Sequence, residues 1–456
     1  MQTTRFNNTE QENLALAESK IATFFKKYKV GVIAGRCGIT KTKGVSPLEL
    51  LITLVSLPFL GQNIYRGVVT NTRCEFSKDV VYDFLGSDRF SWRRFLLQLA
   101  VSIALFLDKL TKVDRDSVLI LDDTSIERPR SKKVELLARV FDHCEQRFFK
   151  GFRMLTLAWS DGASLAPLDF ALLSSANPCN RYQEADKTID RRSCGAARRR
   201  EAVTKSTAML APMVRRALAA GVRARYLLMD SWFGLPAIIS DLRALLPVIC
   251  MVKRTPKVLY GFSGKRCTLD GIYRQLRKRR GRAKVLASVV VTMNDGQSAR
   301  LVFVRDRRKR DWLALLSTDT SLAEADVVRL YGKRWDIEVF FRTSKQFLCL
   351  EKGCQARDFD VLVAHATIVL MRYLFLSLEQ RRNADPRTLG TLFHACCEEM
   401  RDLSYVESLQ RIVELALVRM GQAGPLPEDF RQGLMEAILG QALNFFGLRA
   451  QVYQRT

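Results

Sequence analysis

The stretch Tyr331–Lys345, YGKRWDIEVFFRTSK, decides how the rest of the chain is read. It has no Pro, its one Gly (Gly332) sits in the first turn, and an apolar run precedes it, so a continuous helix is expected. At about 100° per residue, Tyr331, Arg334, Glu338 and Lys345 fall within an arc of about 60° on that helix. Trp335, Ile337, Val339, Phe340 and Phe341 take most of the remaining circumference, interrupted mainly by Lys333 and Asp336. A helix apolar over so much of its girth is a buried helix. This one nevertheless carries a stripe with one carboxylate and two cations. Buried charges are costly unless paired or bound to a metal. The stripe therefore calls for a charged partner, either a metal ion held against a phosphate or the opposite charges of a neighbouring domain.

Outward from that stretch, composition narrows the partner. The chain has 456 residues, enough for about three domains, and a formal charge of +26 with a pI near 9.9. Such an excess points to a polyanion, nucleic acid before membrane. Eleven cysteines without a CxxC pair suggest neither a disulfide framework nor a zinc site, which fits a reducing cytosol. The polar start MQTTRFNNTEQENL is unlike a signal peptide. The apolar runs Leu50–Leu60 and Val361–Leu378 are too short or are broken by His365 and Arg372, so no membrane span is expected.

Along the chain, residues up to about 110 read as helix. Glu10–Tyr28 is amphipathic, Pro47 opens an apolar helix, Ser77 is placed to cap another, and Asp88–Asp108 alternates basic and apolar turns. Ser91–Phe95 sets an aromatic beside an Arg pair, which is compatible with phosphate contact or with a solvated helix face. From Asp114 the periodicity changes. Ser117–Leu121, Phe152–Trp159, Leu168–Leu173, Tyr226–Met229 and Val248–Val252 read as strands, with an Asp161-Gly162 turn between the second and third. A basic loop through Arg198-Arg199-Arg200 leads into a helix over Glu201–Ala220, and Leu235–Leu245 reads as another. Between Lys253 and Arg310 lie 18 Lys or Arg against three acids, so this segment is a strong candidate for phosphate contact. Within it Ala283–Met293 and Ala299–Val304 are β-rich runs around an Asn294-Asp295-Gly296 turn. Beyond Lys345 the pattern is helical, over Phe359–Leu378, Pro386–Met400 and Ser408–Met420, then a Gly421–Pro427 linker and Phe430–Phe446.

The spacing Tyr331, Arg334, Glu338, Lys345 matches the Y-x2-R-x3-E-x6-K signature, and the chain thereby resembles DDE transposases of bacterial insertion sequences of the IS-four type. Those enzymes have an RNase H-like core and use three carboxylates: at the end of the first strand, at the end of the fourth, and on a late helix. This chain offers Asp122-Asp123-Thr124 after the first strand, Asp230 after YLLM, and Glu338 on the helix. Singly, each aspartate is also an ordinary turn or cap residue; in chain order with the signature, they form a set. The family's first Asp directly precedes a Thr, so the match falls on Asp123, with Asp122 as the second choice.

The resemblance implies an α/β fold: an RNase H-like catalytic core over 114–254 and 323–380, and an all-β insertion domain over 255–322. A helical N-terminal DNA-binding domain over 1–113 and a helical C-terminal region over 381–456, serving dimerisation and synapsis, flank them. It implies two Mg2+ or Mn2+ ions held by Asp123, Asp230 and Glu338, hard oxygen ligands suited to those cations. Tyr331, Arg334, Arg342 and Lys345 are expected on the DNA, and Trp312, in the segment Arg310–Thr318, on an extruded base, unless it is a core residue of the insertion. The implied activity is cut-and-paste transposition through cleavage and strand transfer, possible DNA-hairpin formation included. Implied partners are double-stranded DNA, as terminal inverted repeats and target, and a second copy of the chain in a synaptic complex. The expected place is the bacterial cytoplasm, at the nucleoid. A stand-alone RNase H-like nuclease and a non-catalytic DNA-binding derivative are the rival readings. His143, His365 and His394 show no metal-ligand spacing and read as structural.

Overall fold

The computed structural model describes residues 20–71, 74–111, 115–142, 145–306, 311–382, 386–423 and 427–446. The first half of the expected Glu10–Tyr28 helix, His143, Arg310 and residues 424–426 of the expected linker lie outside the described residues.

The described chain opens with helices α1 (Lys20–Lys27), α2 (Val30–Arg36), α3 (Pro47–Ser56), α4 (Lys78–Leu85) and α5 (Trp92–Lys109). Pro47 takes the first position of α3, where its missing N–H is no loss, and the Ser46 hydroxyl accepts the Glu49 N–H at 3.1 Å. These helices do not keep their apolar faces to themselves. Phe24, Leu51, Phe59 and Leu96 belong to the same hydrophobic core as the sheet. Trp92 is fully buried, and Arg93 pairs with Asp169 at 3.1 Å and with Glu201. Of the aromatic and Arg pair in Ser91–Phe95, read as a phosphate contact or a solvated face, Trp92 and Arg93 are thus engaged inside the protein, and Arg94 is exposed.

The sheet follows as β1 (Val118–Glu127), β2 (Ala138–Asp142), β3 (Arg147–Ser160), β4 (Leu165–Leu173), helices α6 (Cys194–Ala202) and α7 (Ser206–Ala219), then β5 (Tyr226–Met229), α8 (Pro236–Arg243) and β6 (Val248–Val252). The first four residues of β1 and all of β5 are buried, as their unbroken apolar runs require of strands covered on both faces. β3 pairs antiparallel with β1 on one edge and β4 on the other; β5 runs parallel to β1 and β6 parallel to β5. The order β4-β3-β1-β5-β6 with these directions is an RNase H-like core. Gly162 turns β3 into β4 with φ +86°, and the Asp161 carboxylate accepts the amides of Ala163 at 2.9 Å and Ser164 at 2.8 Å. The expected Glu201–Ala220 helix is instead split between α6 and α7. The Ala202 carbonyl is taken by the Ser174 amide at 2.7 Å, and the Thr204 hydroxyl bonds back to Arg200 O at 2.9 Å. Half of the expected basic loop is α6 itself, with Arg198 and Arg199 buried against Asp360.

The insertion contributes β7 (Tyr260–Phe262), β8 (Lys265–Cys267), α9 (Leu269–Gln275), β9 (Val285–Thr292), β10 (Ser298–Asp306) and β11 (Asp311–Ser317). It is β-rich with one short helix. β11 pairs antiparallel with β6 from Ala314↔Val252 to Ser317↔Ile249, so the insertion continues the core sheet, which counts 11 strands among the described residues.

The chain ends in α10 (Glu324–Gly332), α11 (Trp335–Gln346), α12 (Phe359–Arg382), α13 (Leu389–Ala423) and α14 (Glu428–Phe445). α12 is long and apolar enough to cross a membrane, but protein encloses it: it packs on α3, α4, α5, α11 and β4. Arg372 is tolerated at its centre because the guanidinium donates to the carbonyls of Val55 (3.3 Å), Leu348 (2.8 Å) and Leu54 (2.6 Å). The two helices expected over Pro386–Met420 are one, α13, which shares a small separate core with α14 through Val406, Leu417, Met435 and Leu439.

Candidate active site

Strand β1 runs past Leu121, because β3 pairs it through Asp122↔Thr156 and Asp123↔Leu155 to Glu127↔Gly151. β5 stops earlier, at Leu121↔Met229. The two aspartates therefore lie where the other edge of β1 comes free, and Asp230 lies one residue past the end of the parallel neighbour. Parallel pairing thus puts all three at the same end of the sheet. Successive strand residues face opposite ways, and the partners differ accordingly. The Asp122 carboxylate accepts Arg334 Nη1 at 2.8 Å, whereas Asp123 accepts Arg153 Nη1 from β3 at 3.2 Å.

The stretch Tyr331–Lys345 is not one helix. The backbone amides of Lys333, Arg334 and Asp336 donate to the third residue back (Leu330, Tyr331 and Lys333 O, each at 3.0 Å), forming a tight turn between α10 and α11. Gly332 lowers the helical preference at that point. Lys333 Nζ is drawn to the Asp116 and Asp161 carbonyls, and Asp336 accepts the Ser160 hydroxyl at 2.6 Å. The two charges that interrupted the apolar face are thus anchors to strand ends. The turn leaves Tyr331 on α10, Arg334 at the start of α11, and Glu338 in the first turn of α11, where a carboxylate suits the helix dipole.

Arg334 joins the elements. Nη1 reaches Asp122 and Nη2 reaches Glu338, so one guanidinium bridges the strand carboxylate and the helix carboxylate. The Asp230 charge acts on Asp122, Asp123, Tyr331 and Arg334 alike. Burial pushes the Asp122 carboxyl up to about 7 against the pull of Arg334, with Asp123 and Asp230 raising it further. Burial likewise lifts Asp123 to about 6 against Arg153. The Tyr331 hydroxyl, its ionisation suppressed chiefly by burial, and Arg334 Nε are buried without a hydrogen-bond partner among the described residues.

The remaining expected residues fall in different places. Lys345 pairs with Glu351 at 3.0 Å and lies 3.4 Å from the Ser125 hydroxyl. Arg342 is exposed on α11. Trp312 does not present a free ring: it is 9% exposed in the core of the insertion, with Tyr273 tilted by 30° at 4.7 Å, Phe303 edge-on at 5.1 Å and the Arg254 guanidinium over it at 4.5 Å. A base would have to displace these partners to stack there. His365 is buried, with Nε2 donating to Cys349 O at 3.0 Å, and His394 packs on Phe347 and Phe393. Arg153 is the site residue that sequence reading missed. Only the register, which sets it opposite Ser125, brings it to Asp123.

The donor set suits a hard divalent cation, since Asp122, Asp123, Asp230 and Glu338 supply only carboxylate oxygens. Their mutual repulsion, held in check by Arg334 and Arg153, fits a place that an added cation would relieve. No three such side chains among the described residues already surround one ligand point.

The family model for DDE superfamily endonucleases matches residues 63–311, more than half of the chain. The match includes Asp122, Asp123 and Asp230 and stops short of α10 and α11. No curated protein matches the chain.

Proposed function

The chain belongs to the DDE superfamily endonucleases, and from that premise we propose that it is a cut-and-paste DNA transposase that cleaves the ends of its own insertion sequence and joins them to target DNA. The observation that carries this reading is the Asp122–Arg334–Glu338 bridge beside Asp230, which gathers carboxylates from a strand, a strand end and a distant helix. Asp122 or Asp123, Asp230 and Glu338 would hold the metal, two Mg2+ or Mn2+ ions per site. Bound there, the ions supply an activated water or 3′-OH and neutralise charge on the phosphoryl group in flight.

The protein's own groups do the positioning. Arg334 pairs with Asp122 and Glu338, and its fork geometry suits it to bind a phosphate oxygen as well. Tyr331 and Lys345 flank it along the strand path, and Arg342 adds an exposed cation. The exposed Arg277, Arg280 and Arg282 of the insertion support a duplex-binding role for residues 255–322, and residues 1–113 are assigned to the DNA end. Holding two ends at once calls for at least a homodimer. Exposed apolar side chains on α13, such as Ile412 (63%), Leu415 (62%) and Val418 (53%), support residues 381–456 as the contact between copies.

The test is Glu338→Gln. Mg2+-dependent strand cleavage should vanish while binding to the DNA ends stays within a few-fold of wild type. Cleavage at the wild-type rate would sink the assignment. Asp122→Asn and Asp123→Asn decide the first ligand between the residue that Arg334 holds and the residue that precedes Thr124: only replacement of the ligand abolishes cleavage.

A further inference from the structure

A second basic feature opens on the Asp123 side of the site. It is a cavity of about 250 Å3 walled by β2, β3, the end of β4 and the start of α7. Arg153 lines it and also reaches Asp123 at 3.2 Å, so the cavity and the strand aspartates share one guanidinium. Arg139 lies over the Phe148 ring, 3.9 Å from its centroid, and Phe148 is 51% exposed. Lys205 stands at the entry to α7, a 14-residue helix whose first turn has no side-chain cap. Neither Arg139 nor Lys205 has a carboxylate partner among the described residues. Three cations, an aromatic wall and the Ser206 and Thr207 amides at the start of α7, whose Ala208 amide is taken by Lys205 O at 3.0 Å, suit an anion with a flat face. The volume is slightly under the usual range of small-molecule sites, about 300–1,000 Å3, and far too small for a duplex.

We propose that this cavity holds one unpaired nucleotide of the DNA strand. Its phosphate lies at Lys205 and the first amides of α7, and its base lies against the Arg139–Phe148 wall. The proposal rests on the reading of the chain as a DNA-cleaving enzyme. It adds a strand path that leaves the carboxylates through Arg153, away from the insertion.

The experiment compares the full-length protein on a blunt duplex and on the same duplex with a four-nucleotide single-stranded tail, by fluorescence anisotropy. Phe148→Ala and Lys205→Gln should each weaken tailed-duplex binding roughly tenfold and leave blunt-duplex binding unchanged. Lys205→Gln should also lower the slope of log affinity against log salt for the tail by about 0.7, the value for one single-strand phosphate. Ser206→Glu, which adds charge at the helix start without removing a buried group, should act in the same direction. Millimolar deoxyadenosine monophosphate should cancel the preference for the tail and spare the blunt duplex. Equal losses on both DNAs, or none on either, with unchanged melting temperatures, would overturn the subsite and leave the cleavage reading standing. A wild-type protein that binds neither DNA would overturn both.

Discussion

Replacing Trp312 with Ala separates a core residue from a base-stacking platform. The ring is 9% exposed and touches Tyr273, Phe303 and Arg254, so its removal opens a cavity in the insertion. Trp→Ala changes in cores cost ~3–5 kcal/mol. Trp312→Phe, which keeps an aromatic pair with Tyr273, should cost about 1 kcal/mol. The destabilisation falls on β11, which carries Trp312 and zips onto β6 at Ala314–Ser317. β6 in turn pairs with β5, the strand that delivers Asp230. At about 1.4 kcal/mol per tenfold, even 3 kcal/mol raises the open population of this edge more than a hundredfold. Hydrogen exchange of the β10 and β11 amides should therefore speed up by about that factor. First-strand nicking and every later step should fall together. The opposite result is easy to recognise: unchanged exchange and melting temperature, with normal nicking and a selective block of a later step. That would make Trp312 a platform that opens to the base, and the core account would be wrong.

Asp360→Asn should destabilise the fold by ~3 kcal/mol or more by urea unfolding, because the buried guanidiniums of Arg198 and Arg199 both bond to that carboxylate; a change under about 1 kcal/mol would mean the cluster is hydrated. Burial, with Arg372 and Arg128 nearby, holds the His365 imidazole down to about 3. The unfolded chain therefore takes up a proton near pH 6.5 that the fold refuses, and stability is lost progressively as pH falls from about 6.5 toward 3, at up to ~1.4 kcal/mol per pH unit. His365→Gln should flatten that part of the stability curve; an unaltered slope would exclude His365 as its source. Changing Arg277, Lys278 and Arg280 together to Gln should reduce the salt slope of duplex binding by up to about 0.9 for each phosphate no longer neutralised, and an unchanged slope would place the duplex elsewhere.

By itself the sequence determined the order of the buried core strands β1, β3, β4, β5 and β6, but not β2 (Ala138–Asp142) or the short β7, β8 and α9, whose few residues carry no clear period. β5 and β6 fall where the runs YLLM and VICMV end, since a strand buried on both faces has no polar residue to blur its limits. Proline, serine and glycine marked α3 and the β3–β4 turn, because each acts through its own backbone geometry. The charged stripe on Tyr331–Lys345 was equally legible, although the helix it implied is two helices. That break depends on Lys333 and Asp336 finding strand ends far away in the chain, which no local periodicity records. Register was likewise invisible: a shift of one residue exchanges the faces of a strand, and only the observed pairing gives Arg334 to Asp122 and Arg153 to Asp123. The sequence also could not say which basic or aromatic residues stay available to DNA. Arg93, Arg198, Arg199 and Trp312 look like surface binders in one dimension, and each meets its partner only across the folded core. Long-range pairing made that choice, because burying a cation requires a particular carboxylate or carbonyl, and only the tertiary fold supplies it.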